Sequence, residues 1–148
     1  MEYTAGRIGR VFVLKFDNND VMMRELERFS RKEKLRSAVI VFLGALKQGH
    51  LAAGPKKPVI PPQPNWQTFK GGWEAMGIGT IFTNEGGPRI HVHTAMGKKA
   101  KTLIGCVRKA SSVFLVVEAV VFELKGVRAT KMPDPRTGIN LLRILARS

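Results

Sequence analysis

Cysteine is nearly absent from this chain: its 148 residues carry a single thiol, Cys106. A lone cysteine closes no intramolecular disulfide, so the fold must rest on a packed core, and a reducing cytoplasm is the expected setting. Acidic residues are also scarce, with 11 Asp and Glu against 25 Lys and Arg and a formal charge of +14. That imbalance favours polyanionic partners, DNA foremost, through long-range attraction and counterion release. Aromatic residues make up 7% of the chain, too few to build a base-stacking platform. The longest apolar runs, residues 37–46 and 112–122, fall far short of the roughly 20 residues that span a bilayer, so no membrane is expected as a partner. The opening Met1-Glu2-Tyr3-Thr4-Ala5-Gly6-Arg7 lacks the apolar stretch of a secretory signal. Gly77-Ile78-Gly79 lacks the third glycine of a dinucleotide fingerprint, and no P-loop, nucleophile elbow or paired zinc-finger ligands occur.

With 44% hydrophobic residues, the chain supports one domain, residues 1–148, with a real core. Residues 9–16 alternate like a strand, rich enough in Val, Leu and Phe to be buried on both faces. Asn18-Asn19-Asp20 offers an N-cap, and Met22, Leu26 and Phe29 form the apolar stripe of a helix ending near Lys34. Arg24, Arg28 and Arg31 fall on its opposite face, interspersed with Glu25, Glu27 and Glu33, an arrangement that suits either phosphate contact or plain solvation. Residues 37–44 read as the central strand of a β-α-β unit. Residues 45–52, 66–69 and 73–83 read as further strands, with Gly71-Gly72 a turn or bulge. The five prolines of residues 54–64 make a stiff surface loop. Residues 112–124 form a long apolar strand interrupted by Glu118, a carboxylate that is either paired inside the core or turned to solvent at an edge. The tail, residues 132–148, is a turn followed by a final apolar clasp.

The strongest chemical signal is His91-Val92-His93, followed thirteen residues later by Cys106. Alternation on a strand places both imidazoles on one face. If the chain reverses around Lys98 and Lys99, His91 opposes Cys106 and His93 opposes residue 104, with opposed Cβ atoms about 5 Å apart. Two imidazoles and a thiolate suit a divalent ion, zinc first, and three protein ligands leave a fourth position open. The competing reading is a chance His-x-His beside a small buried cysteine.

In order along the chain, Gly9-Arg10-Val11-Phe12-Val13-Leu14, the following helix, Gly44-Ala45-Leu46, Gly72-Trp73-Glu74, His91-Val92-His93, Gly105-Cys106 and Pro133-Asp134-Pro135-Arg136-Thr137-Gly138 resemble the plant and prokaryote conserved domain. The resemblance covers nearly the whole chain. It implies an α/β fold of the α+β type, a largely antiparallel mixed sheet of about seven strands with one main packed helix, and assembly into homotrimers. It also implies a DNA-related role and a three-histidine metal cluster, in which this chain has Cys106 where histidine is usual. The AT-hook core Arg-Gly-Arg-Pro is absent, and Gly6-Arg7-Ile8-Gly9-Arg10 does not replace it, so DNA contact falls to the basic surface.

Two functional classes follow. The first is a trimeric, DNA-associated protein in which Lys98, Lys99, Lys101, Arg108 and the helix arginines Arg24, Arg28 and Arg31 touch phosphate, with the metal structural or regulatory. The second is a zinc-dependent hydrolase, or a ligand-binding scaffold, with Glu74 or Glu118 as general base. A fourth ligand from His50 or a neighbouring subunit would close the site.

Overall fold

The computed structural model describes residues 1–108 and 110–145, so Lys109, Arg147 and the end of the tail, 146–148, lie outside the described residues. In chain order the elements are β1 (Arg7–Asp17), α1 (Met22–Lys32), β2 (Ser37–Pro55), β3 (Pro64–Asn84), β4 (Gly87–Lys98), β5 (Lys101–Val107), β6 (Ser112–Lys125), β7 (Ala129–Asp134) and β8 (Ile139–Ile144). Among the described residues the eight strands pair antiparallel throughout, and with the one packed helix they make the α+β class expected from the sequence.

Two long strands organise the rest. β2 and β3, of 19 and 21 residues, form one extended hairpin. Each was expected as two separate strands; bulges keep each continuous instead. Leu46 pairs with Trp73 and Gln48 with Lys70, so one β2 residue opposes Gly71 and Gly72. Gly44 and Gly71 have φ of +139° and +75°, which only glycine adopts without strain, so the strands bend there rather than end. The proline loop caps the hairpin, with Pro55 facing Pro64.

The main sheet has the order β1-β6-β2-β3-β4-β5, and β5 also returns to β2, where Leu51 pairs with Val107 and Ala52 with Cys106. β2, β3, β4 and β5 thus close into a ring of antiparallel neighbours. The expected β-α-β unit is split: β1 and β2 point the same way but are not adjacent, because β6 lies between them and pairs with both.

One face of the sheet carries Ile40, Phe42, Val92, Val117 and Val121, buried beneath Met22 and Leu26 of α1. The other is apolar and open, with Val13, Leu43, Met76 and Ile78 between 58% and 80% exposed. β1 is therefore an edge strand with one bare face, not a strand buried on both. The helix begins at Val21 without a side-chain cap. The expected capping residues are engaged elsewhere: Asp20 accepts the Asp17 N–H, Asn18 accepts that of Leu115, and Asn19 accepts Lys47. No helix among the described residues is long and apolar enough to cross a membrane.

Candidate metal centre

β4 and β5 form the expected hairpin, with the turn one residue later than the sequence suggested. Lys98 pairs with Lys101, so His93 faces Cys106 and Ala95 faces Ile104. The register thus differs by two from the expected pairing of His91 with Cys106 and His93 with Ile104. A shift of two preserves side-chain parity, and His91, His93 and Cys106 still share one face. Their ligand atoms lie within 4.8 Å of one another.

The two imidazole Nε2 atoms are 3.1 Å apart, with the rings near perpendicular at 82°. Nitrogens bound to one tetrahedral ion at about 2.0–2.1 Å stand about 3.4 Å apart, so the pair is already close to ligating geometry. Cys106 lies at the seam where β5 meets both β4 and β2, and is buried while the histidines are open to solvent. Gly105 makes that seam possible, since a Cβ there would sit 2.6 Å from the Ala52 carbonyl oxygen. The residues fit a divalent ion of borderline softness, which would polarise a group placed in the fourth position.

His91 has one side open to solvent and the other enclosed by its neighbours; that partial desolvation is the largest influence on its pKa and lowers it to about 4, with Lys131, His93 and Arg108 adding to the effect. The neutral imidazole needed by a metal is therefore the resting form at neutral pH. Burial pushes the Cys106 thiol up, against Arg108, Lys131 and the Val92 N–H, so a bound cation must displace its proton. The Lys131 ammonium is lowered by burial, with Cys106 opposing.

Other residues singled out from the sequence do not converge here. His50 turns to Thr68, with Nδ1 3.2 Å from its hydroxyl, and stands outside the cluster. Glu74 faces Gly97, four residues and about 13 Å along β4 from His93. Glu118 is exposed on the outer face of β6, opposite Lys15 and Leu43, neither in the core nor on an edge strand. The candidate DNA contacts divide. Lys98, Lys99 and Lys101 sit at the turn ending β4, whereas Arg31 lies against Gly87 at its start, about 36 Å away. Arg24 and Arg28 both pair with Glu25, and Arg31 with Glu27.

Two residues near the centre escaped sequence reading. Arg89 shares the face of His91 and His93 by simple alternation, a signal present in the sequence. Lys131 arrives from β7, which packs on β3 through bonds from Asn84 Nδ2 to the Lys131 carbonyl and from Thr130 to the Thr83 carbonyl, and nothing local announces it.

The fold matches solved structures from several prokaryotes. A metal-containing protein from Archaeoglobus fulgidus superposes with a TM-score of 0.84 at 21% identity, covering 99% of this chain and 100% of the other. A plant- and prokaryote-conserved protein from Pyrococcus horikoshii gives 0.84 at 22%, with the same coverage. A presumed DNA-binding protein from Ralstonia eutropha gives 0.74 at 21%, covering 90% of each chain. No curated protein matches the chain in sequence. The model of the Plants and Prokaryotes Conserved domain matches residues 3–125, the span from β1 through β6 that builds the sheet and the cluster, and the chain belongs to that family.

Proposed function

We propose that this protein is a DNA-associated homotrimer of the cytoplasm whose His91, His93 and Cys106 hold a divalent ion, zinc by ligand chemistry. The convergence of those three ligand atoms within 4.8 Å carries the reading. DNA association is supported by the charge of +14 and by the solved relative named for DNA binding. With the helix arginines paired to glutamates, Lys99, Lys101 and Arg108 are the exposed cations that would contact phosphate, giving sequence-tolerant, salt-sensitive affinity. Trimer formation is supported by the bare apolar face of the sheet, which a monomer would leave in water.

Titrating a labelled duplex at rising salt tests the DNA reading. Log affinity should fall linearly with log salt, and Lys99→Ala with Lys101→Ala should reduce the slope by about 2. No retention of any duplex at low salt would overturn it.

A second reading, a zinc-dependent hydrolase or ligand-binding scaffold, is favoured by the ligand set, which has three protein donors and no fourth among the described residues. Neither Glu74 nor Glu118 is placed to act as a base there, which favours the scaffold over the hydrolase.

A further inference from the structure

We infer that the open edge of β4 binds a small organic phosphate, its phosphoryl group held by Arg89, Arg108 and Lys131. β5 begins to pair with β4 only at His93, so residues 87–92 have β3 on one side and, among the described residues, no strand on the other. The free edge is flanked by α1 on one side and the β7–β8 hairpin on the other, leaving a cleft of about 740 Å³. That size suits a small molecule.

The charges in the cleft are unbalanced. Arg24 is paired with Glu25, and Glu27 with Arg31, outside the question of a ligand. Arg89, Arg108 and Lys131 line the same cleft with no carboxylate partner among the described residues. Arg89 Nε is buried without a hydrogen-bond acceptor, and Lys131 is only 9% exposed. A buried cation without a counter-ion is costly, and an anion in the cleft would relieve both groups at once. Guanidinium forks beside an ammonium match a phosphoryl group better than a single carboxylate, because three oxygens can each accept a charge-assisted bond. Met23, Ile90 and Ile139 line the remainder, a surface that rewards an organic body and gains nothing from bare phosphate. His91 also lines the cleft, so the ligand would lie beside the metal centre without needing it.

Isothermal titration of the full chain with phenyl phosphate, inorganic phosphate and phenol tests the assignment, on metal-free and zinc-loaded protein. Phenyl phosphate should bind in both states, inorganic phosphate at least tenfold more weakly, and phenol not at all. Arg89→Met and Lys131→Met should each weaken phenyl phosphate at least tenfold without lowering the thermal midpoint. Arg108→Met, at an exposed position, should do the same where the buried variants misfold, and Lys57→Met, in the proline loop, should leave phenyl phosphate affinity unchanged. Unchanged affinity in Arg108→Met, or no phenyl phosphate binding by the wild type, would overturn the inference. So would variants that lose duplex DNA while the wild type ignores phenyl phosphate, which would make the cleft a DNA contact. Cys106→Ser should lose metal yet keep phenyl phosphate, so failure of the metal reading and failure of this one are separable.

Discussion

On the inner face of the sheet Ile40, Val92, Val117 and Val121 are fully enclosed, whereas on the outer face Val13, Met76 and Ile78 keep 80%, 66% and 59% of their surface in contact with solvent. The two faces are built from the same strands with comparable side chains. What separates them is α1, whose Met22 and Leu26 seal only one side. Alternation in sequence thus says which residues share a face, but not whether that face is covered by the chain itself or by another copy of it. The outer row Val13, Val120, Val41, Ile78, His93, Cys106 runs from the bare apolar surface straight into the candidate metal site. Assembly through that face would place the centre at the border of the interface.

Leu26→Ala on the helix removes a fully buried side chain from the sealed face and should destabilise the protein by about 2–5 kcal/mol in chemical denaturation. A change under about 1 kcal/mol would mean the helix does not seal the core, since surface substitutions stay in that range. Ile78→Asp on the open face should leave the circular dichroism spectrum intact while converting the proposed trimer to monomer in sedimentation equilibrium. A trimer that persists would show that the face is bare in the assembly as well.

The edge of the sheet provides the smallest effect. Arg10 reaches both Glu123 and Glu33, with the Arg10 Nε 2.9 Å from a Glu123 oxygen. That bond holds the Glu123 carboxyl below its ordinary pKa of 4.5. A depressed folded pKa gives stability that is present above the ordinary value and is lost as pH falls through the folded one. Arg10→Ala should therefore lower the thermal midpoint slightly at pH 7, within the range of solvent-screened surface pairs, and less still at pH 3. An equal effect at both values would show that Arg10 acts through packing on Phe12, above whose ring it also lies.

Much of the site was legible because its logic is local. His91 and His93 share a face in any strand, and Cys106 joins them for any hairpin register of the right parity, so an error of two residues in the turn did no harm. Arg89 was equally readable by the same rule. Lys131 was not, because it reaches the centre through a hairpin that begins more than thirty residues further on and docks by bonds to Thr83 and Asn84. The fold shows the same division. The positions of α1 and of most strands followed from periodicity, but β7 lies partly where the sequence suggests only a turn, and the insertion of β6 between β1 and β2 depends on pairing between distant segments. Glycine punctuation misled at Gly44, which bends its strand rather than ending it, whereas Gly71-Gly72 takes the bulge of the two forms the sequence allows. For Glu118 the sequence leaves open a paired core carboxylate or a solvent-facing one on an edge strand; it faces solvent, but on β6, which lies between β1 and β2.

By this proposal His91, His93 and Cys106, all on the β4–β5 hairpin, form a metal centre. Metal content of the purified protein, measured by plasma mass spectrometry for wild type, His91→Ala and Cys106→Ser, tests it most directly. The wild type should carry about one divalent ion per chain, and each variant should lose at least tenfold in affinity. Equal, stoichiometric metal in all three proteins would contradict it.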